Sequence, residues 1–161
     1  MKLVICDDPD LKLSVEGEHR IIKPDGRLCR CLGCFGCWLK TPGKCVIADG
    51  YEDLGALWGH SDEAIVISRC VYGGLSPFAK NVFDRSIGYV HPDFRRRGGE
   101  MHHRRRYGNT VRLSVYFYGE TSDREKETAR RIMSAVAENF GGCLEKLEFT
   151  DEKLLAEGLK L

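Results

Sequence analysis

The feature that most constrains this chain is a series of short, unbroken apolar runs that alternate with stretches of helical periodicity. An apolar run of about four to eight residues is typical of a strand buried on both faces. The predicted strands are Leu3 to Cys6, Ala64 to Ser68 and Val111 to Tyr118, with weaker candidates at His19 to Ile22 and Leu144 to Phe149. The predicted helices are Tyr51 to His60, Pro77 to Ser86, Asp123 to Phe140 and Asp151 to Leu159. This alternation predicts an α/β fold with a parallel sheet covered on both faces.

Length and charge indicate one ordinary domain. The chain has 161 residues, with 25 Lys and Arg against 24 Asp and Glu and a net charge of +1, so it is not a polycation. Its apolar runs are too short to cross a bilayer, and its first residues lack the apolar stretch and cleavage site of a signal peptide. We therefore expect a single cytoplasmic domain, residues 1–161, with no membrane partner.

Eight cysteines without an export signal are expected to be reduced thiols, so their spacing points to metal or redox chemistry before disulfides. Four of them, within a Cys-rich loop at residues 29–45, form C-x2-C-x2-C-x7-C: Cys31, Cys34, Cys37 and Cys45. Three thiolates at this spacing with a later fourth are the ligand set of a [4Fe-4S] cluster, whereas zinc usually takes two separated pairs. Two interpretations stay open: a cluster or metal site, or a cap of small thiols that pack as apolar groups.

A second candidate site follows the predicted strand that ends at Ser68. In open α/β sheets, ligands bind beyond the carboxyl ends of the strands, where a strand turns into a helix. Gly73 and Gly74 would let the backbone approach a flat ring, and Tyr72 could stack on one. The alternative is an ordinary turn whose glycines serve its geometry.

The stretch from His91 to Arg112 is strongly basic. It holds seven arginines against Asp93 and Glu100, a net charge of +5, and it overlaps the predicted basic loop at residues 88–109. Guanidinium groups match phosphate oxygens, so this loop can grip a phosphate, a dinucleotide or nucleic acid, or it can be a solvated or subunit-bridging loop. We find no carboxylate or cysteine spaced to complete a metal site with its two adjacent histidines, and we assign no catalytic residue.

Three segments together resemble the flavodoxin-like NAD(P)H-dependent FMN reductase family. They are CLGCFGCWLKTPGKCVIAD at residues 31–49, ISRCVYGGLSPFAKNVFDRS at residues 67–86 and GEMHHRRRY at residues 99–107. The cysteines look similar to those of the iron–sulfur flavoproteins in the same superfamily. The resemblance covers residues 31 to 120 and implies a doubly wound, five-stranded parallel sheet in the flavodoxin order, assembled as a homodimer or homotetramer.

The resemblance also implies a set of site residues. The loop that lines the flavin ring would be Ser68, Arg69, Cys70, Val71, Tyr72, Gly73 and Gly74, and the other edge of the ring would be touched by Tyr118, Gly119 and Glu120. The cluster ligands of iron–sulfur flavoproteins would align with Cys31, Cys34, Cys37 and Cys45. The implied cofactors are FMN and, where the cysteines are loaded, a [4Fe-4S] cluster.

The chain departs from the family pattern after its first strand. Members that bind FMN strongly tend to have a Ser/Thr- and Gly-rich phosphate loop there, whereas this chain has Asp7, Asp8, Pro9 and Asp10. Carboxylates would repel a phosphate dianion. The residues from Asp7 to Gly17 barely suffice for a helical crossover, so we expect the first crossover helix to be shortened or missing.

The sequence thus predicts a flavodoxin-like redox protein, an FMN-dependent NAD(P)H oxidoreductase that passes electrons to a small acceptor. The alternative is a non-enzymatic iron–sulfur or metal-binding protein that keeps the fold and has lost FMN. Nucleic acid is not an expected partner.

Overall fold

The protein is described from a computed structural model that covers residues 1–150 and 159–160. The strands, in chain order, are β1 (Lys2–Cys6), β2 (Leu13–Ser14), β3 (His19–Ile22), β4 (Glu63–Arg69), β5 (Val90–Arg97), β6 (Glu100–Arg105), β7 (Arg112–Tyr118), β8 (Cys143–Thr150) and β9 (Leu159–Lys160). The helices are α1 (Gly36–Leu39), α2 (Leu54–Gly59), α3 (Pro77–Arg85) and α4 (Asp123–Asn139), with a 3₁₀ turn at Ile87–Tyr89.

Five strands form one parallel sheet in the order β3-β1-β4-β7-β8. Counted along these five strands alone, this is the 2-1-3-4-5 order of flavodoxin-like folds, so the predicted fold class is confirmed. The chain leaves β1 to one side for β3 and crosses back to the other side for β4. The carboxyl ends of β1 and β4 therefore flank the point where the strand order reverses, which is where such folds place ligands.

The predicted loss of the first crossover helix is also confirmed. Residues 7–18, all of which the structure describes, contain no helix and only the two-residue strand β2, which pairs with β9. The segment begins with a tight turn in which the Asp8 carboxylate accepts hydrogen bonds from the backbone N–H groups of Asp10 (2.9 Å) and Leu11 (3.2 Å). An aspartate that satisfies the backbone in this way favours a turn over a helix.

The two faces of the sheet are covered differently. One face packs against α2, α3 and α4 in a core that includes Trp58, Phe83 and Met133. On the opposite face, Val4, Ile65 and other strand residues pack under the non-helical segment that follows β1. The helix predicted from Asp151 to Leu159 lies almost wholly outside the described residues. Among the described helices, none is long and apolar enough to cross a membrane.

Helices α3 and α4 begin where their capping residues predict. Ser76 precedes Pro77 at the start of α3, and its hydroxyl accepts a hydrogen bond from the backbone N–H of Ala79. At the start of α4, Ser122 and Glu125 form a reciprocal capping box. Helix α2 starts three residues later than predicted, because Tyr51 donates its backbone N–H to the Asp49 carboxylate in a turn instead.

Within the predicted basic loop, β5 and β6 pair in an antiparallel hairpin that the sequence analysis did not predict. Gly98 and Gly99 join the two strands with positive φ values of 58° and 91°. Two consecutive residues at positive φ make the tight turn whose twist suits a two-residue hairpin. The dipeptide was a readable signal, but the strands around it lack the apolar alternation from which strands are usually recognised.

We predict that Ser122→Ala lowers the free energy of unfolding by about 1 kcal/mol, because it removes the hydroxyl that caps α4. Ser134→Ala, an exposed position inside the same helix, is the matched control. It should leave stability unchanged or raise it slightly, because alanine is the better helix former. Urea unfolding measures both variants, and equal changes would contradict the role of the cap.

Candidate functional site

A large apolar cavity lies between the Cys-rich loop, α3 and the last turns of α4. Its volume is about 650 Å³, which is in the range of small-molecule and cofactor sites. The cavity is lined from the loop by Cys31, Leu32, Gly33, Cys34, Phe35, Cys37 and Cys45, and from the rest of the chain by Ile47, Gly74, Leu75, Lys80, Phe83, Asp84, Arg85, Ile87, Ile132, Met133, Val136 and Phe140. All four cysteines of the predicted ligand set thus border the same space.

The four thiols are close enough to influence one another electrostatically. The pKa of Cys37 is raised above its ordinary value, first by burial and then by the neighbouring thiols of Cys45, Cys31 and Cys34. Cys29, which precedes the set, is exposed, and its thiol lies 3.6 Å from the carbonyl oxygen of Arg27. The structure therefore gathers the residues that the spacing singled out.

A buried ion pair ties the Cys-rich loop to α3. Arg85 donates from Nη1 to Asp49 Oδ2 (2.7 Å) and from Nη2 to Asp49 Oδ1 (2.9 Å), and the Arg85 side chain is fully buried. These hydrogen bonds hold the pKa of the Asp49 carboxyl well below its ordinary value. Because a bidentate pair fixes both position and orientation, Asp49 anchors the end of the loop to the helix.

The same side of α3 also holds the backbone at the start of the loop. Arg85 donates to the carbonyl oxygen of Cys29 (2.8 Å), and Asn81, one turn earlier, donates to it as well (3.1 Å). The side-chain amide oxygen of Asn81 accepts a hydrogen bond from the backbone N–H of Cys31 (2.9 Å). Two side chains spaced i, i+4 on one helix therefore position the first cysteine of the predicted set.

Arg85 also has a donor that none of these hydrogen bonds uses. Its Nε is buried without a hydrogen-bond partner. The pKa of the guanidinium is raised chiefly by Asp49, and the neighbouring Cys45 thiol adds to this effect.

The far end of the loop is held by Trp38 and by close backbone contacts. The indole N–H of Trp38 points at the carbonyl oxygens of Val90 (3.0 Å) and Ile87 (3.2 Å). The backbone of Gly43 passes so close to Gly88 that a Cβ added to Gly88 would lie only 3.0 Å from the Gly43 carbonyl oxygen. Any side chain at position 88 would push the loop around Gly43 away, so Gly88 is needed for this close contact.

At the carboxyl ends of β1, β4 and β7, the Asp7 carboxylate occupies the point where these strands meet. It accepts hydrogen bonds from the Tyr118 hydroxyl (2.8 Å) and the backbone N–H of Arg69 (2.9 Å), and the Ser68 hydroxyl lies 3.3 Å away. Burial, and then the bond to Asp7, raises the pKa of Tyr118. The donors that could receive an anion at this edge thus already serve a carboxylate of the chain.

The predicted flavin loop is a closed turn. Val71 and Gly74 exchange two backbone hydrogen bonds of 3.0 and 2.8 Å, and Tyr72 and Gly73 between them have positive φ values of 52° and 79°. A Cβ on Gly73 would lie 2.7 Å from the Thr128 side chain of α4. Packing against α4 therefore accounts for Gly73, while Tyr72 is 87% exposed and free to contact a ligand or another surface.

The two halves of the predicted flavin site are neighbours, as the resemblance implies. Arg69 lies opposite Tyr118 in the β4–β7 register, and the backbone N–H of Cys70 donates to the Tyr118 carbonyl oxygen (3.0 Å). Gly119 and Glu120 follow in the turn before α4. Gly74 is the member of this group that also borders the cysteine-lined cavity.

Sequence reasoning missed Asn81, Arg85 and Asp49 as positioning residues. All three lie in segments that carried the family resemblance, but the bidentate pair joins residues 36 positions apart. It also missed that Glu100 and His102 share one face of a strand, which their i, i+2 spacing signals. No protein-family model and no curated protein matches this sequence.

We predict that Asp49→Asn lowers the free energy of unfolding by about 3–5 kcal/mol, because it leaves the buried Arg85 charge without its partner. Asp53→Asn removes the carboxylate of a solvent-exposed pair with Lys44 and should cost less than about 1 kcal/mol. Chemical denaturation compares the two, and similar costs would contradict the anchoring role of Asp49.

The same pair predicts a dependence of stability on pH. Because folding lowers the pKa of Asp49, its contribution is fully present well above the ordinary value of 3.8 and is lost as the pH falls through the lower value of the folded state. Asp49→Asn should therefore flatten the acid side of the stability curve relative to the wild-type protein. Curves that stay parallel below pH 3.8 would contradict this assignment.

Proposed function

We propose that this chain is a flavodoxin-fold protein that binds a thiolate-ligated metal centre, an iron–sulfur cluster, through Cys31, Cys34, Cys37 and Cys45. The observation that carries the proposal is that all four cysteines line one cavity. This is the alternative that the sequence left open beside FMN reduction. The gathered thiols favour it over a cap of cysteines that merely fill space.

The donor set fits such a group. Soft thiolates select iron–sulfur clusters or zinc, and the C-x2-C-x2-C spacing favours the cluster over the two separated pairs of a usual zinc site. The surrounding wall is mainly apolar, with Lys80 and Arg85 as its cations. When bound, a cluster would supply one-electron transfer, with a potential tuned by burial, charge and hydrogen bonds to sulfur.

The chain's own residues would prepare the thiols for binding. Asn81 and Arg85 hold the backbone of the loop, and the Arg85 guanidinium places a positive charge near Cys45. Since the pKa of Cys37 is raised, this thiol must lose a proton when it ligates a metal. Metal affinity should therefore rise with pH through the neutral range.

FMN binding, with electron transfer from NAD(P)H to a small acceptor, stays the second candidate. The strand order and the contact of Gly74 with the cavity support it. The Asp7 carboxylate at the strand ends opposes it, because that position would have to accept a phosphate. If FMN binds, the phosphate needs other partners, and the arginine-rich β5–β6 hairpin is the basic surface available for one.

The rim of the cavity supports the predicted homodimer or homotetramer. Leu32 and Phe35 on the loop and Ile132 on α4 are large apolar side chains that are exposed although they border the cavity. Phe35 also has a positive φ of 57°, a costly conformation for an aromatic residue. An apolar rim of this kind is typical of a surface that another molecule covers.

We predict that Cys37→Ser, reconstituted anaerobically with iron and sulfide, loses the iron and the visible absorption that the wild-type protein gains. Cys29→Ser is the matched control, because Cys29 is a neighbouring, exposed cysteine that does not line the cavity. It should keep full iron content. Equal iron content in both variants, or none in the wild-type protein, would contradict the proposal.

Flavin and metal measured on one anaerobically purified sample distinguish the two candidates. Stoichiometric iron and sulfide without flavin fluorescence is the result we expect. Flavin without iron would instead support the FMN-dependent enzyme and overturn the metal-binding proposal. Absorption and fluorescence spectra together with iron and sulfide analysis provide both values.

A further inference from the structure

A second group of potential metal ligands lies away from the cysteines, where the β5–β6 hairpin rests on the end of α4. Glu100 and His102 come from β6, and Glu138 comes from the last turn of α4. One ligand atom from each residue lies within 4.8 Å of the other two. The hairpin and the helix are also joined by Arg97, whose guanidinium donates to the Glu138 carbonyl oxygen (2.6 Å).

His102 is the unusual member of this group. Its side chain is only 6% exposed, and Nε2 is buried with no hydrogen-bond partner. Its other ring nitrogen, Nδ1, lies 3.2 Å from the Asn139 side-chain oxygen. An amide oxygen accepts a hydrogen bond from an Nδ1–H group, and in this tautomer the lone pair is on Nε2, which lies near the two carboxylates.

The spacing of the three ligand atoms suits a small divalent ion. His102 Nε2 lies 3.3 Å from Glu100 Oε2 and 3.9 Å from Glu138 Oε1. In a tetrahedron with zinc–ligand distances of about 2.1 Å, neighbouring ligand atoms are about 3.4 Å apart. Small side-chain rotations of the two exposed glutamates therefore suffice to complete three corners.

We propose that Glu100, His102 and Glu138 form a zinc-binding site that clamps the β5–β6 hairpin to α4. One imidazole and two carboxylates are a donor set for zinc-class transition ions, whereas magnesium and calcium prefer oxygen ligands alone. Asn139 orients the imidazole from behind, as outer hydrogen-bond partners do in zinc sites. Three protein ligands leave a fourth position for water or a substrate atom.

The charges around this site favour a metal ion that bonds directly to the imidazole over a cation held by electrostatic attraction alone. The two carboxylates would neutralise a divalent ion, but Arg95 and Arg97 lie opposite His102 and Glu100 in the hairpin register. Their positive field weakens the attraction for any cation held by charge alone. A metal that bonds directly to imidazole nitrogen is therefore the occupant that this surface selects.

The test loads the full-length protein with Zn²⁺, desalts it and counts bound zinc. Glu138→Gln and Glu100→Gln should each bind one equivalent fewer than wild type, with affinity for that equivalent reduced at least about 100-fold. Glu127→Gln is the matched control, because it makes the same change at an exposed position of α4, about 16 Å away along the helix. It should keep wild-type stoichiometry.

Zinc that the cysteines bind is separated by Co²⁺ substitution. Cobalt on thiolates gives intense sulfur-to-metal charge-transfer absorption, and cobalt on nitrogen and oxygen gives only weak visible bands. Glu138→Gln should lose the weak bands and keep any charge-transfer band, so failure of the cysteine site and failure of this site are distinguishable. If both glutamate variants bind as much zinc as Glu127→Gln, with equal affinity, the three side chains hold no zinc and the proposal is wrong.

Discussion

The bidentate pair between Arg85 and Asp49 is the interaction on which the candidate site depends. The Cys-rich loop contains only one short helix, α1, so its own backbone cannot set the positions of four thiols. The pair fastens the end of the loop to a regular helix, and Asn81 holds its beginning on the same side of that helix. Because a buried ion pair is costly to break, it keeps the loop in a fixed position relative to α3.

The missing first crossover helix changes what the carboxyl edge of the sheet can do. In a fold of this order, a helix N-terminus after the first strand offers free backbone N–H groups to an anion. Here Asp8 turns the chain without a helix, and Asp7 takes the donors that remain at the strand ends. The acidic sequence after β1 thus both removes the helix and fills the position that a phosphate would use. The better candidate for a binding site is therefore the cavity beside α3.

The elements that sequence patterns predicted are those in which local chemistry and burial agree. The buried strands β1, β4 and β7 are mostly apolar in sequence, and the start of α4 carries its own capping box. The cysteine set was equally readable, because ligand spacing is a local property. The role of Arg85 could not be predicted, because the sequence pattern of α3 is the same whether or not Asp49 packs against the helix. The hairpin was missed because its strands are rich in arginine and histidine. The grouping of Glu138 with His102 was missed because the two residues meet only through tertiary contact.

The hairpin also makes the overall neutrality of the chain misleading. The β5–β6 hairpin concentrates arginines in one region of a molecule whose net charge is only +1, so the rest of the chain carries an excess of acidic residues. Copies of such a molecule have little net charge to repel one another, while their unlike regions attract over a range set by the Debye length, about 10 Å at 0.1 M salt. Solubility should accordingly be poorest in dilute buffer near neutral pH and improve as salt is added, the behaviour known as salting-in.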